Sequence, residues 1–209
     1  MIAAYSDSIF INCPFDKVYK PLLQCIVFTI YRCGFVPRSA LEEDDSSDIR
    51  IEKIVRLINK CKFGIHDISR TELDDTHRLP RFNMPFELGI FWGAKKFGNK
   101  VNKEKIALIL DKEKFRYQKY FSDLNGVDIK AHDNQPDSMI QAVRNWIHTA
   151  SGRTTIPSFE TIRSDYNDFV DLRLPVMLTV SYAKLEELTF NDYCAYVSAA
   201  LKERLAQSK

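Results

Sequence analysis

Two carboxylates frame one loop in this chain. Asp67 stands in FGIHDIS (63–69), and Glu87 is the single acid in the apolar stretch RFNMPFELGIFWGAKKFG (81–98). If both face one bound molecule, one carboxylate serves leaving-group or hydroxyl contacts and the other the reacting carbon, as paired acids do at a glycosidic bond. Glu87 falls about one turn into a helix that Asn83 is expected to cap and whose first turn suits Pro85. The helix dipole favours its ionised form, whereas Phe86, Leu88, Ile90, Phe91 and Trp92 disfavour it by desolvation. A carboxylate balanced in this way suits a nucleophile or a stabiliser of a developing cation. As mere decoration of a helix N-terminus it would contribute only about 0.3–1 kcal/mol. That reading leaves unexplained why the helix is nearly uncharged from Met84 to Ala94, a composition that predicts burial on all sides. Asp67 by itself reads as an aspartate capping a turn; its place across the loop from Glu87 gives it a second meaning.

Positioning such a pair requires a scaffold, and the chain alternates β-rich runs with helical patterns. IFINC (9–13), FVPRSAL (35–41), FGIHDIS (63–69), KIALILD (105–111) and VDIKAH (127–132) read as strands. Helical patterns lie between them at Val18–Cys33, 48–61 and 81–98, with a short one near Tyr117–Leu124 and another from Pro136 to about Ser151. In 48–61, Ile51, Ile54, Val55 and Ile58 are expected on one buried face. Strands that alternate with helices and read as apolar runs imply an α/β fold: a flavodoxin-like five-stranded parallel sheet, order 2-1-3-4-5, with helices on both faces. Ligands of such sheets bind beyond the carboxyl ends of the strands, where Asp67 and the Glu87 loop fall. The α/β domain is expected over 1–152. A C-terminal helical extension over 153–209 follows the linker RTTIPS, with helical patterns at about 158–186 and 190–207 and an interruption at Pro175.

Composition removes several function classes. The 209 residues carry 30 basic and 28 acidic side chains, a net charge of +2, which provides no global field for nucleic acid or an anionic membrane. Five cysteines without CxxC spacing read as reduced thiols, and four scattered histidines lack metal-ligand spacing, so no metal is expected. No long apolar span or secretory leader is apparent, which predicts a soluble cytoplasmic protein. EEDDSSD (42–48) fails as a calcium loop because Ile49 and Val55 stand where glycine and glutamate are needed; Ser47 or Asp48 is expected to cap the next helix instead. A thiol hydrolase built on Cys13 and His66 fails because strand alternation turns His66 away from Asp67's side. The lysines from Lys95 to Lys105 read as a solvated turn. Neither GxGxxG nor GxxxxGK[ST] occurs, which excludes the glycine-rich phosphate loops, and no cofactor is expected.

INCPFD (11–16), HDIS (66–69) and NMPFELG (83–89) together resemble the nucleoside 2-deoxyribosyltransferase-like superfamily, including its bacterial nucleotide glycosidases and TIR-like relatives. The resemblance spans about residues 8–150 and rests on a strand-ending aspartate followed by N-x-x-[YF]-E-L-G. It implies cleavage or transfer of the N-glycosidic bond of a nucleoside, nucleotide or NAD-like substrate. Glu87 would be the catalytic nucleophile or oxocarbenium stabiliser, and Asp67 a sugar or base contact. Pro14, Phe15, Ser69, Asn83 and Phe86 would line the substrate pocket. Thirteen residues separate Ser69 from Asn83, more than is common in the family, and Arg70, Arg78 and Arg81 in or beside this loop suit a phosphate. The family also implies a homo-oligomer, and a regulated bacterial defence effector switched on by a protein activator is one form such an enzyme takes. The alternative is a nucleotide-binding sensor or adaptor without catalysis.

Overall fold

The computed structural model describes residues 4–71 and 80–207. Five strands, β1 (Ser8–Asn12), β2 (Val36–Ser39), β3 (Phe63–Asp67), β4 (Ile106–Asp111) and β5 (Lys130–Ala131), form one sheet in the order β2-β1-β3-β4-β5, every pairing parallel. This is the flavodoxin-like order expected from the topology that such sheets commonly take. β5 has only two residues where VDIKAH suggested a full strand, and the predicted helix near Tyr117–Leu124 is two short 3-10 turns, Arg116–Lys119 and Ser122–Leu124.

Strand alternation sorts the sheet into two apolar faces. Ile9, Ile11, Phe63, Ile65, Leu108 and Leu110 pack against α1 (Lys20–Arg32) and α4 (Pro136–Ser151), whose end is set by Gly152 in the left-handed region (φ 66°). Phe10 packs on the other face, under α2 (Arg50–Asn59) and α3 (Asn83–Phe97). The buried residues of α2 are Lys53, Ile54, Leu57 and Ile58, while Ile51 and Val55 are exposed by more than a third. The helix is thus rotated from the face expected, because Lys53 can bury its stem and donate its ammonium to the Glu43 carbonyl at 2.7 Å. No side chain caps α2; its N-cap is Ile49, and Asp48 pairs with Arg56 instead.

The approach of α3 to β3 is close. A Cβ at Gly64 would stand 2.7 Å from the Phe91 ring and 2.8 Å from His66 Nε2. Gly64→Ala is therefore expected to lower stability by about 1–3 kcal/mol through overpacking, read as a lower urea midpoint with an unchanged slope.

After Gly152 the chain forms α5 (Phe159–Asp168), a π-helical turn (Phe169–Arg173), α6 (Leu174–Ser181) and α7 (Phe190–Gln207). Pro175 does not break this run. It falls in the first turn of α6, directly after the wider π turn, where its missing N–H is tolerated. Ile162, Tyr166, Phe169, Tyr193 and Val197 enter the same core as the α1 face of the sheet. Buried Asp165 locks this packing by pairing with Arg32 at 2.6 Å and with Arg204. Among the described residues, no helix is long and apolar enough to cross a membrane.

Candidate functional site

At the carboxyl edge of the sheet, β1 and β3 are neighbours whose connections run to opposite sides, the switch point where ligands of this architecture bind. Asp67 ends β3 and turns toward α1. It is fully enclosed, and its oxygens are occupied: Oδ2 accepts the Tyr19 hydroxyl at 2.6 Å and faces His132 Nε2 at 3.0 Å, and Oδ1 accepts the Ser69 amide at 2.8 Å. The Asn134 amide donates to His132 Nδ1 at 3.1 Å, which fixes the ring beside Asp67. Burial pushes the Asp67 carboxyl up, but the bonds from His132, Ser69 and Tyr19 outweigh it and hold the group below its ordinary value. Instead of facing a substrate, Asp67 is the centre of a buried polar knot tying the start of α1, the end of β3 and the turn after β5.

Glu87 comes one turn into α3. Asn83 is the first helical residue and is exposed, so it does not cap; the N-cap is Phe82, without a side-chain bond. The helix is not enclosed on all sides as its composition suggested. Met84, Glu87, Leu88 and Phe91 are buried, whereas Phe82 and Phe86 are about 60% exposed. The acid is thus on the inward face, 3% exposed, among apolar neighbours. Its ion-pair partner among the described residues is Arg50, at the first position of α2, with Nη2 3.6 Å from Oε1. Burial pushes the Glu87 carboxyl above its ordinary value, and Arg50 pulls it partly back.

The backbone ahead of Glu87 is pinned from the sheet. Asn12, at the end of β1, donates Nδ2 to the Met84 carbonyl at 2.7 Å and lies 3.1 Å from His66 Nδ1. His66 is fully buried against Phe10 and Phe91, and burial pushes its imidazole down to about 3. The unfolded chain therefore binds a proton here that the folded one refuses, between about pH 6.5 and 3, and stability falls as pH falls through that window. About 2 kcal/mol should be lost by pH 5 from this group. Urea titrations of wild type and His66→Gln at pH 7 and 5 check this, the variant being the less acid-sensitive.

Other predicted residues take different places. Arg70 binds Asp16 with two contacts of 3.2 Å, and Arg81 lies 3.7 Å from the same carboxylate, beyond hydrogen-bond range. Asp16 also accepts the Tyr19 amide at 2.9 Å. Ser69 is buried and gives its carbonyl to Arg116 at 2.9 Å, and Arg116 pairs with buried Asp111 at 2.6 Å. Pro14 is buried, Phe86 is exposed, and Arg78 lies outside the described residues. Cys13 is inert: burial first, then Asp67, Glu87 and Asp16, push its thiol well above the ordinary range. That one thiol feels all three acids places them together around the end of β1.

Beside this cluster opens a cavity of about 630 Å³, bounded by the ends of β1 and β2, the start of α2 and the chain before α7. Phe15, Asp16, Arg50, Lys53 and Tyr193 line it; Glu87 lies behind Arg50 and not on the open wall. A larger groove of about 1070 Å³ follows β4, β5 and α4 along the sheet's outer edge, away from the acid cluster. Among the described residues, no group of three or more histidine, cysteine, aspartate or glutamate side chains is placed to hold a metal ion. The chain matches no protein-family model and no curated protein at the sequence level.

Proposed function

We propose that this protein cleaves or transfers the N-glycosidic bond of a nucleoside, nucleotide or NAD-like molecule, with Glu87 as the carboxylate that meets the anomeric carbon. The observation that carries the reading is a desolvated acid with one long ion pair, set at the β1/β3 switch point beside a cavity of ligand size. A structural carboxylate this buried is normally hydrogen-bonded on every side, as Asp67 is. The resemblance of Asn83–Gly89 to N-x-x-[YF]-E-L-G supports the same residue.

In the reaction, Arg50 moves aside and Glu87 in its ionised form attacks C1′ or lies against it as the bond to the base nitrogen breaks and positive charge develops on the sugar. The bonding pair leaves with the base, which takes up a proton. Water, or a second base, then bonds to C1′ and frees the carboxylate. In the empty protein Arg50 pulls the Glu87 carboxyl partly back against its burial, and Asn12 holds the turn that carries it. Asp67 positions the strand end and does not contact the sugar.

The test is direct. Purified protein incubated with NAD and a panel of nucleosides and nucleotides should release free base, resolved by chromatography, and Glu87→Ala should not. Equal release by Glu87→Ala would remove the carboxylate from the mechanism, and intact ligand recovered from every incubation would favour a binding module.

A further inference from the structure

Arg50 is the arginine on the cavity wall, and it is little used. Arg38 holds Glu42 at 2.6 Å, Arg70 holds Asp16 at 3.2 Å, and Arg116 holds Asp111 at 2.6 Å, each with hydrogen bonds. Arg50 reaches its one carboxylate, Glu87, at 3.6 Å, beyond hydrogen-bond range, with a side chain 55% exposed on the cavity wall. A guanidinium has five donors, and here they face an open space. Lys53, one turn along the same helix, and Lys17 line that space too.

The acids of the wall do not use these cations. Asp16 is matched by Arg70 and Arg81, and Glu43 by Arg56 at 3.2 Å, all three arginines outside the lining. Lys20 is spent on the carbonyls of Leu185, Glu186 and Leu188, which fastens the segment before α7 across the opening. Asp44 and Glu186 remain as exposed acids at the rim. The inner wall is therefore positive around Arg50, with Phe15 and Tyr193 as aromatic surface nearby.

We propose that Arg50 is a shared cation: it neutralises Glu87 in the empty protein and takes the phosphate of a nucleotide in the cavity, so that phosphate binding and the charge on Glu87 oppose each other. The inference takes the cavity and Glu87 from the reading above and narrows its substrate class to phosphorylated nucleosides. A phosphate matches the guanidinium fork in two hydrogen bonds, a geometry the stretched contact to Glu87 lacks. Because coupling between two binding events is reciprocal, removing the charge of Glu87 must strengthen the phosphate site by as much as that charge weakens it.

Calorimetric titration with adenosine 5′-monophosphate, adenosine and inorganic phosphate tests this on the intact chain, with a readout besides base release. Arg50→Gln should bind the monophosphate at least about tenfold more weakly, and Glu87→Gln about fivefold or more tightly. Adenosine should be indifferent to Arg50→Gln, and the double variant should lose the gain of Glu87→Gln. Circular dichroism checks that each variant is folded. An Arg50→Gln affinity within twofold of wild type, or an unchanged Glu87→Gln affinity, overturns the proposal, as does equal binding of adenosine and its monophosphate. Inorganic phosphate that binds and loses affinity in Arg50→Gln shows the anion contact alone and supports it. Base release that depends on Glu87 with phosphate binding indifferent to Arg50 sinks this inference and spares the glycosidic one. Phosphate binding as described without base release from any substrate does the reverse.

Discussion

Glu87→Gln is expected to release base at least about 10³-fold more slowly than wild type while unfolding at a higher urea concentration. The two effects have one origin. A carboxyl whose folded pKa is raised gives stability that is complete below its unfolded value and is lost as pH rises through the folded one. The ionised form of Glu87 therefore works against folding, and the neutral isostere relieves that cost by about 0.5–2 kcal/mol, the gain usual where a site residue is kept for chemistry. A structural acid would give the opposite sign. For comparison, Asp67→Asn breaks the knot with Tyr19, His132 and Ser69 and should lower stability. Activity and denaturation measured on one preparation of each variant decide the matter, and a Glu87→Gln protein less stable than wild type would make the acid a structural one.

The second large effect is at alkaline pH. Cys25, Cys33 and Cys61 are buried, and burial pushes each thiol from an ordinary value of 9.0 up to about 12. Raised pKa values give stability that is complete below about pH 9 and is lost as pH rises, because the unfolded thiols ionise first. At pH 11 each thiol withdraws about 2.7 kcal/mol, about 8 kcal/mol for the three. Lys105 acts in the opposite sense. Burial pushes it down to about 8, so it returns at most about 3.4 kcal/mol over the same range. Even that is an upper bound, since its ammonium donates to the Ile58 and Cys61 carbonyls and lies over the Tyr5 and Phe91 rings, all of which favour the charge. The net loss of about 5 kcal/mol or more is of the order of a domain's whole stability. Urea midpoints should fall steeply between pH 9 and 11, and Cys25→Ala should flatten the fall by about a third to a half. A flat profile would mean the thiols are not sealed from water.

What the sequence determined by itself was the layout. Apolar runs alternating with helical patterns were enough for five parallel strands, because both faces of each central strand must be apolar where helices cover both sides, while their order β2-β1-β3-β4-β5 came from the topology such sheets commonly take. The ends of α1, α4 and α7 were legible to within about two residues from local signals such as Gly34 and Gly152. The same layout put Asp67 and the start of α3 at one edge of the sheet, and one buried acid among apolar neighbours marked Glu87.

Only the tertiary structure decided what each of these residues touches. Asp67 looked like the partner of Glu87, yet Tyr19 and His132, 48 and 65 positions away, fill its oxygens. Arg70 looked free for a phosphate, but Asp16 takes it, and Arg81 lies 3.7 Å from the same carboxylate. Arg50, which no pattern marked, reaches Glu87 because α2 turns its Lys53 face inward, a rotation set by packing and by the Glu43 carbonyl. The tail's place on α1 came from a buried Asp165 that bridges Arg32 and Arg204. Periodicity is local and survives in one dimension. Pairing of buried charges is a contest among all groups that the fold brings within a few ångströms, so it exists only once the chain has closed on itself.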